Sequence, residues 1–280
     1  MPKLPAWILP KLPRRAVLEQ MQPRLREWGV HTVCENAACP NLGECFAAGT
    51  ATFLLLGEIC TRDCNFCAID GGRPFPPDPD EPARIARAAA AMQLDYVVVT
   101  SVTRDDLPDG GAGQFAETIA ALRQALPQAK IEVLIPDFAG QEEPLKRVGE
   151  AQPDVLGHNV ETVPSRYARV RPGADYQRSL TVLRRAHRWF PAITTKSGFM
   201  VGLGEDEEEV RSVLRDLRAA GVEVVTIGQY LQPTRAHLAV SEYVTPEQFE
   251  HYEQQARALG FREVSAAPLV RSSYRAHQLA

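Results

Sequence analysis

The chain has 280 residues, of which 45% are hydrophobic and 24% charged, a composition able to bury a sizeable core and unlike that of a wholly disordered protein. A formal net charge of −4 lacks the basic excess that neutralises a phosphate backbone, so nucleic-acid binding gains no support and a carrier protein or small molecule is the expected substrate. Length alone does not force two domains, because a one-domain α/β barrel falls in the same range. In segment 1–13, Pro2, Pro5, Pro10 and Pro13 interrupt any apolar run long enough for a secretory signal or membrane span, so the expectation is a cytoplasmic or already processed protein with no membrane association. Up to about Thr50 no structural unit repeats. From Thr52 a short β-branched run, a loop and an amphipathic segment recur, which predicts βα units. Strands are expected at 52–57, 95–102, 131–135, 155–160, 193–201 and 222–230, and helices at 82–93, 112–126, 141–151, 175–190, 205–220 and 245–259. Thr245, Pro246 and Glu247 form a cap and first turn, and the acidic run 205–209 suits a helix start. Six units are too few for an eight-stranded barrel and leave an open, partial barrel or a doubly wound sheet. A further apolar run, 264–266, and the motif Arg271-Ser272-Ser273-Tyr274 read as a terminal appendage.

All six cysteines lie between Cys34 and Cys67. Without a secretory signal, such clustering argues for metal binding over a disulfide framework. The run Cys60-Thr61-Arg62-Asp63-Cys64-Asn65-Phe66-Cys67 follows the first strand, where α/β barrels gather working residues. Three thiolates leave one position of a four-iron centre open to substrate, although a zinc knuckle completed by a nearby His or Asp uses the same residues. The earlier triplet, Cys34, Cys39 and Cys45, is open to the same two readings, as an iron–sulfur site or a zinc-binding extension.

Polar residues also collect where strands are expected to end. Asn159 and Glu161 follow the fourth strand and suit ribose and amino groups, while Lys196 in the fifth strand could neutralise a carboxylate, an internal ion pair being the plainer account. His31, His237 and His277 are isolated and receive no role.

The 60–67 run resembles the cysteine signature of the radical S-adenosylmethionine superfamily. The run Glu35-Asn36-Ala37-Ala38-Cys39-Pro40-Asn41-Leu42-Gly43-Glu44-Cys45 and the run Arg271-Ser272-Ser273-Tyr274-Arg275-Ala276 resemble motifs of the lipoyl synthase family within it. Segments 171–173 and 229–234 are similar too, so the likeness extends over nearly the whole chain. It implies a partial (β/α)6 TIM-like barrel at 51–262, an N-terminal extension at 1–50 and a C-terminal segment at 263–280. Cys60, Cys64 and Cys67 would bind a [4Fe–4S] cluster whose fourth iron is chelated by S-adenosyl-L-methionine. Cys34, Cys39, Cys45 and Ser273 would hold a second, auxiliary [4Fe–4S] cluster, with a hard oxygen ligand that makes one iron labile. Thr100, Ser101, Gly110 and Gly111 would meet the methionine end of the cofactor, and Arg171 its carboxylate. The implied reaction inserts two sulfur atoms at C6 and C8 of a protein-bound octanoyl-lysine, using 5′-deoxyadenosyl radicals and the auxiliary cluster as sulfur source. The implied partners are an octanoylated lipoyl-carrier domain (2-oxoacid dehydrogenase E2 or glycine-cleavage H protein), a ferredoxin- or flavodoxin-type reductant, and an iron–sulfur carrier that rebuilds the spent cluster.

Overall fold

Runs such as Tyr96–Ser101 and Val224–Gln229 are nearly all apolar or β-branched, as strands covered on both faces require, and each leads into an amphipathic segment. The computed structural model describes residues 4–8, 15–36, 39, 41, 44, 45 and 52–279. Pro2, Pro10, Pro13, Ala37, Ala38, Pro40, Leu42 and Gly43 lie outside the described residues.

A helix α1 (Arg15–Trp28), a short strand β1 (His31–Thr32) and a helical turn α2 (Val33–Asn36) precede the repeating part. Strand β2 (Thr52–Leu55) leads to a small parallel pair, β3 (Ile59–Cys60) with β4 (Asp70–Gly71), and then to α3 (Glu81–Ala91). The alternation continues through β5 (Tyr96–Ser101), α4 (Ala112–Ala125), β6 (Lys130–Leu134), α5 (Glu142–Glu150) and β7 (Val155–Gly157). Next come α6 (Tyr167–Val170), α7 (Tyr176–Trp189), β8 (Thr194–Val201), α8 (Glu207–Ala219), β9 (Val224–Gln229), α9 (Pro246–Ala258) and β10 (Glu263–Ala267). Every expected strand and helix is present, with ends shifted by a few residues at most. The helix starts carry their own signals. Asp206 and Glu209 form a reciprocal capping box on α8, and Thr245 caps α9 with Pro246 at its first turn.

Strands β2, β5, β6, β7, β8, β9 and β10 pair in parallel in chain order, with β1 antiparallel on the outer edge of β2. Because each crossover steps to the next neighbour in the same direction, right-handed connections lay the helices on one face, which excludes the doubly wound alternative. The run 264–266, expected in a terminal appendage, is part of β10, and Val264 pairs with Val225. The barrel sheet therefore extends past residue 262.

Alternation separates two faces. Val97, Val99, Val133, Leu156, Phe199, Val225 and Ile227 pack against helix residues such as Ile85, Phe115, Val213 and Leu217. The opposite, inner face carries Thr100, Glu132, Lys196, Gly198, Thr226 and Gly228 among apolar Leu54, Val98, Leu134, Met200 and Val224, so polar groups are set into the interior. Deep inside it, Lys196 Nζ donates to both oxygens of Glu132 at 2.8 and 3.0 Å, and the Tyr96 hydroxyl donates to the same carboxylate at 2.6 Å.

Candidate functional site

The loop that carries Cys60, Cys64 and Cys67 leaves β2 and is pinned to the C-terminal ends of neighbouring strands. Its neck is the β3–β4 pair, where Cys60 lies opposite Gly71. The Thr61 amide and hydroxyl both donate to Thr103 O beyond β5, at 3.0 and 2.9 Å, and the Thr103 amide donates to Cys60 Sγ at 3.3 Å. Arg62 bridges Asp105 at 2.7 Å and buried Asp137, beyond β6, at 2.7 Å. Burial alone would raise the Asp137 carboxyl, but its bonds to Arg62 hold it well below the usual carboxylate range. On the far side the Asn65 amide donates to Val170 O at 3.1 Å, and His237 Nε2 bonds Cys67 O at 2.8 Å. His237 thus positions the loop backbone. Phe66 packs with Val170, Leu203 and Tyr230.

Burial, with the charges of neighbouring thiols adding to it, raises the Cys64 thiol and pushes the Cys67 thiol up to about 12. Iron binding would reverse this, since a coordinating thiol is deprotonated outright. Among the described residues no three His, Cys, Asp or Glu side chains are gathered closely enough to hold a single metal ion. Thiolates on a four-iron cluster take different irons and so stand further apart.

Beyond β7 the chain bulges. His158 N bonds Lys196 O, and Glu161 N, rather than Val160 N, bonds Gly198 O, so β7 carries one extra residue against β8. Glu161 takes a left-handed φ of 65° there. This insertion ends β7 at Gly157, three residues before the end expected at 160. The bulge gathers Asn159, Glu161 and Arg171: Arg171 Nη1 donates to Asn159 O at 3.0 Å, and the Asn159 side chain lies near enough to the Glu161 carboxylate to favour its ionised form. Burial raises the Glu161 carboxyl while the Arg171 charge opposes the shift, and Arg171 also acts on Cys64. Two buried atoms of this group, Asn159 Oδ1 and Arg171 Nε, have no hydrogen-bond partner. Such unmet capacity beside the 60–67 cysteine loop suits a polar ligand.

The remaining expected contacts are placed differently. Thr100 lies on the inner face and its hydroxyl donates to Leu134 O at 2.8 Å, whereas strand alternation puts Ser101 on the helix side with Val97 and Val99. Lys196 is not brought to the mouth. It is the third residue of an eight-residue strand, 2% exposed, and is held in the Glu132 ion pair. The glycines answer to packing: a Cβ on Gly110 would come within 2.9 Å of Phe138 Cδ1, and one on Gly111 would strike Leu56.

The first triplet meets the C-terminal segment. Burial, with the nearby Cys39 and Cys45 adding to it, pushes the Cys34 thiol up to about 12. Asn41 Nδ2 donates to Leu269 O at 2.7 Å, the Tyr274 hydroxyl to Glu44 at 2.9 Å, and Arg275 to the same carboxylate at 2.6 Å. Ser272 and Ser273 are half-buried between these two anchors. Arg271, also between them, feels the charges of both Cys39 and Glu161, which places it between the first cysteine loop and the bulge beyond β7.

Residues 54–217 match the Radical SAM superfamily. The lipoyl synthase of Thiobacillus denitrificans is 54% identical over 279 residues, covering 99% of this chain and 90% of that protein. The chain belongs to the lipoyl synthase family. The family's Caldanaerobacter subterraneus member is 57% identical over 259 residues, 92% of this chain and 91% of that one. Solved structures share the fold at low identity. SuiB of Streptococcus suis bound to S-adenosylmethionine superposes with a TM-score of 0.59 at 9% identity, over 81% of this chain and 54% of SuiB. Methylornithine synthase gives a TM-score of 0.50 at 14% identity, over 80% of this chain and 73% of that one. Membership of the lipoyl synthase family, within the Radical SAM superfamily, implies a radical enzyme that uses a [4Fe–4S] cluster and S-adenosylmethionine. The residues fit that pair: three thiols on a pinned loop, and Asn159 and Arg171 with unmet bonds beside them. No helix among the described residues is long and apolar enough to cross a membrane.

Proposed function

We propose that the chain inserts sulfur at C6 and C8 of an octanoyl-lysine on a lipoyl-carrier domain, with Cys34, Cys39, Cys45 and Ser273 holding an auxiliary [4Fe–4S] cluster as the sulfur source. The observation that carries this reading is the meeting of the first cysteine loop with the segment 269–275. Glu44 binds Tyr274 and Arg275 across 230 and 231 positions, so Ser273 is held beside the first cysteine loop. Cys60, Cys64 and Cys67 hold the cluster to which the cofactor binds. When bound, these groups supply a 5′-deoxyadenosyl radical that removes hydrogen from an unactivated carbon and a sulfide that replaces it.

The chain's own residues bind and orient. Arg171 offers Nε to the cofactor carboxylate, and Asn159 and Glu161 take its amino and ribose groups. The Arg62 clamp fixes the cysteine loop that would hold the cluster relative to them. His158 is no acid or base for this chemistry, since it is fully enclosed and bonded to Ile135 O and Ser179. The barrel wall excludes water and solvent hydrogen donors from the reacting carbon. A ferredoxin- or flavodoxin-type reductant and an iron–sulfur carrier complete the cycle.

Ser273→Ala tests the division of labour. With an octanoyl-lysine peptide, reductant and S-adenosylmethionine under anaerobic conditions, cofactor cleavage should stay within about twofold of wild type while sulfur-containing product falls at least ~10-fold. Equal loss of both reactions would sink the assignment. Anaerobic metal analysis should give about eight irons per chain with matching sulfide, and zinc without iron would contradict the radical mechanism.

A further inference from the structure

The inner face of β9 ends in Gly228, opposite Ala267 of β10, at the point where the chain turns back as the C-terminal segment. Gly228 pairs with Met200 on its other side, so it is enclosed by sheet on both flanks. Its backbone needs no left-handed φ, and any L residue could adopt its conformation. The requirement for glycine is one of space. A Cβ there would run into the carbonyl oxygen of Val270, come 3.1 Å from Val270 C and stand 3.3 Å from Arg271 Nη1. The obstacle is backbone, which cannot swing aside as a flexible side chain can. The segment is further fixed here by the Gln229 amide bond to Pro268 O at 3.3 Å and by the turn from Val270 N to Ala267 O at 3.0 Å. Gly157, on the same inner face, is different: a Cβ there would make only ordinary contacts of 3.5 Å or more.

We infer that Gly228 is a positioning residue for sulfur transfer, the seat on which the C-terminal segment is laid so that Ser273 meets the first cysteine loop. The inference rests on the proposed role of Ser273. From the seat at Val270 the segment reaches Ser273 in three residues, and Tyr274 and Arg275 then meet Glu44. A displaced Val270 carries Ser273 away from the three cysteines, while the 60–67 loop, whose hydrogen bonds go to Thr103, Asp137, Val170 and His237, is untouched.

The test compares Gly228→Ala with Gly157→Ala and wild type in the full, anaerobically reconstituted chain. Expected for Gly228→Ala are faster hydrogen exchange across 268–276, a fall from about eight toward four irons per chain, and cofactor cleavage kept while sulfur product drops ~10-fold or more. Gly157→Ala should match wild type. Wild-type exchange across 268–276 in Gly228→Ala overturns the inference. Loss of both clusters together, or collapse of the fold, also overturns it, because the glycine would then serve the sheet and not the segment. Faster exchange with both clusters intact supports the seat and instead refutes Ser273 as a ligand, so the two readings fail separately.

Discussion

Lys196 and His158 show how a polar residue in a barrel strand can be structural. The Lys196 ammonium and Glu132 carboxylate are both buried and satisfy each other, with Tyr96 as a third member. Breaking one partner leaves a buried charge uncompensated, so Lys196→Met should cost about 3–5 kcal/mol in unfolding free energy, with much of it recovered when Glu132→Gln is added. Denaturant titration checks both, and a variant as stable as wild type but with weakened cofactor binding would return Lys196 to the binding site. His158 is held neutral by burial, with the charge of Arg171 adding to the effect, and its pKa falls from 6.5 to about 4. Since the folded value is the lower one, its contribution is complete above pH 6.5 and is lost as pH falls toward 4, on the order of 3 kcal/mol in all. His158→Gln should flatten the decline of the unfolding midpoint over that interval. An unchanged slope would show that other groups set it.

At the level of elements, the cysteine loop is ordered by residues that no local motif announces. Asp137 accepts from Arg62 twice, at 2.7 and 3.1 Å, and from Arg178 at 3.3 Å. Removing its charge weakens hydrogen bonds worth roughly 1.5–3 kcal/mol each, so Asp137→Asn should speed chelator-driven iron loss from Cys60, Cys64 and Cys67 and leave the first triplet unaffected. Equal rates in wild type and variant would dismiss the clamp. Strands, helices and both cysteine triplets were legible because they are written in local period and spacing. Asp137, Thr103 and His237 were not, since they act on the loop across 75, 43 and 170 positions. The bulge after β7 was equally hidden: its extra residue shows only when β8 is alongside. β10 was missed because Ser265 and the alanines 266 and 267 make a weak strand signal, and pairing with β9 supplies what propensity does not.

Over the whole molecule, the sheet order repeats the chain order, so each βα unit can dock on the one made just before it. The two cysteine loops draw on very different spans of chain. Hydrogen bonds of the 60–67 loop among the described residues reach Leu238, whereas those of the first loop reach Arg275. During vectorial synthesis at about 5–20 residues per second, the second loop therefore has its supports before the last strand is finished. The first loop, although its cysteines emerge earlier, must wait until Tyr274 and Arg275 have left the ribosome. Its thiols remain exposed to oxidants and stray metals through that interval, which makes late, assisted loading of iron and sulfide the natural order of assembly.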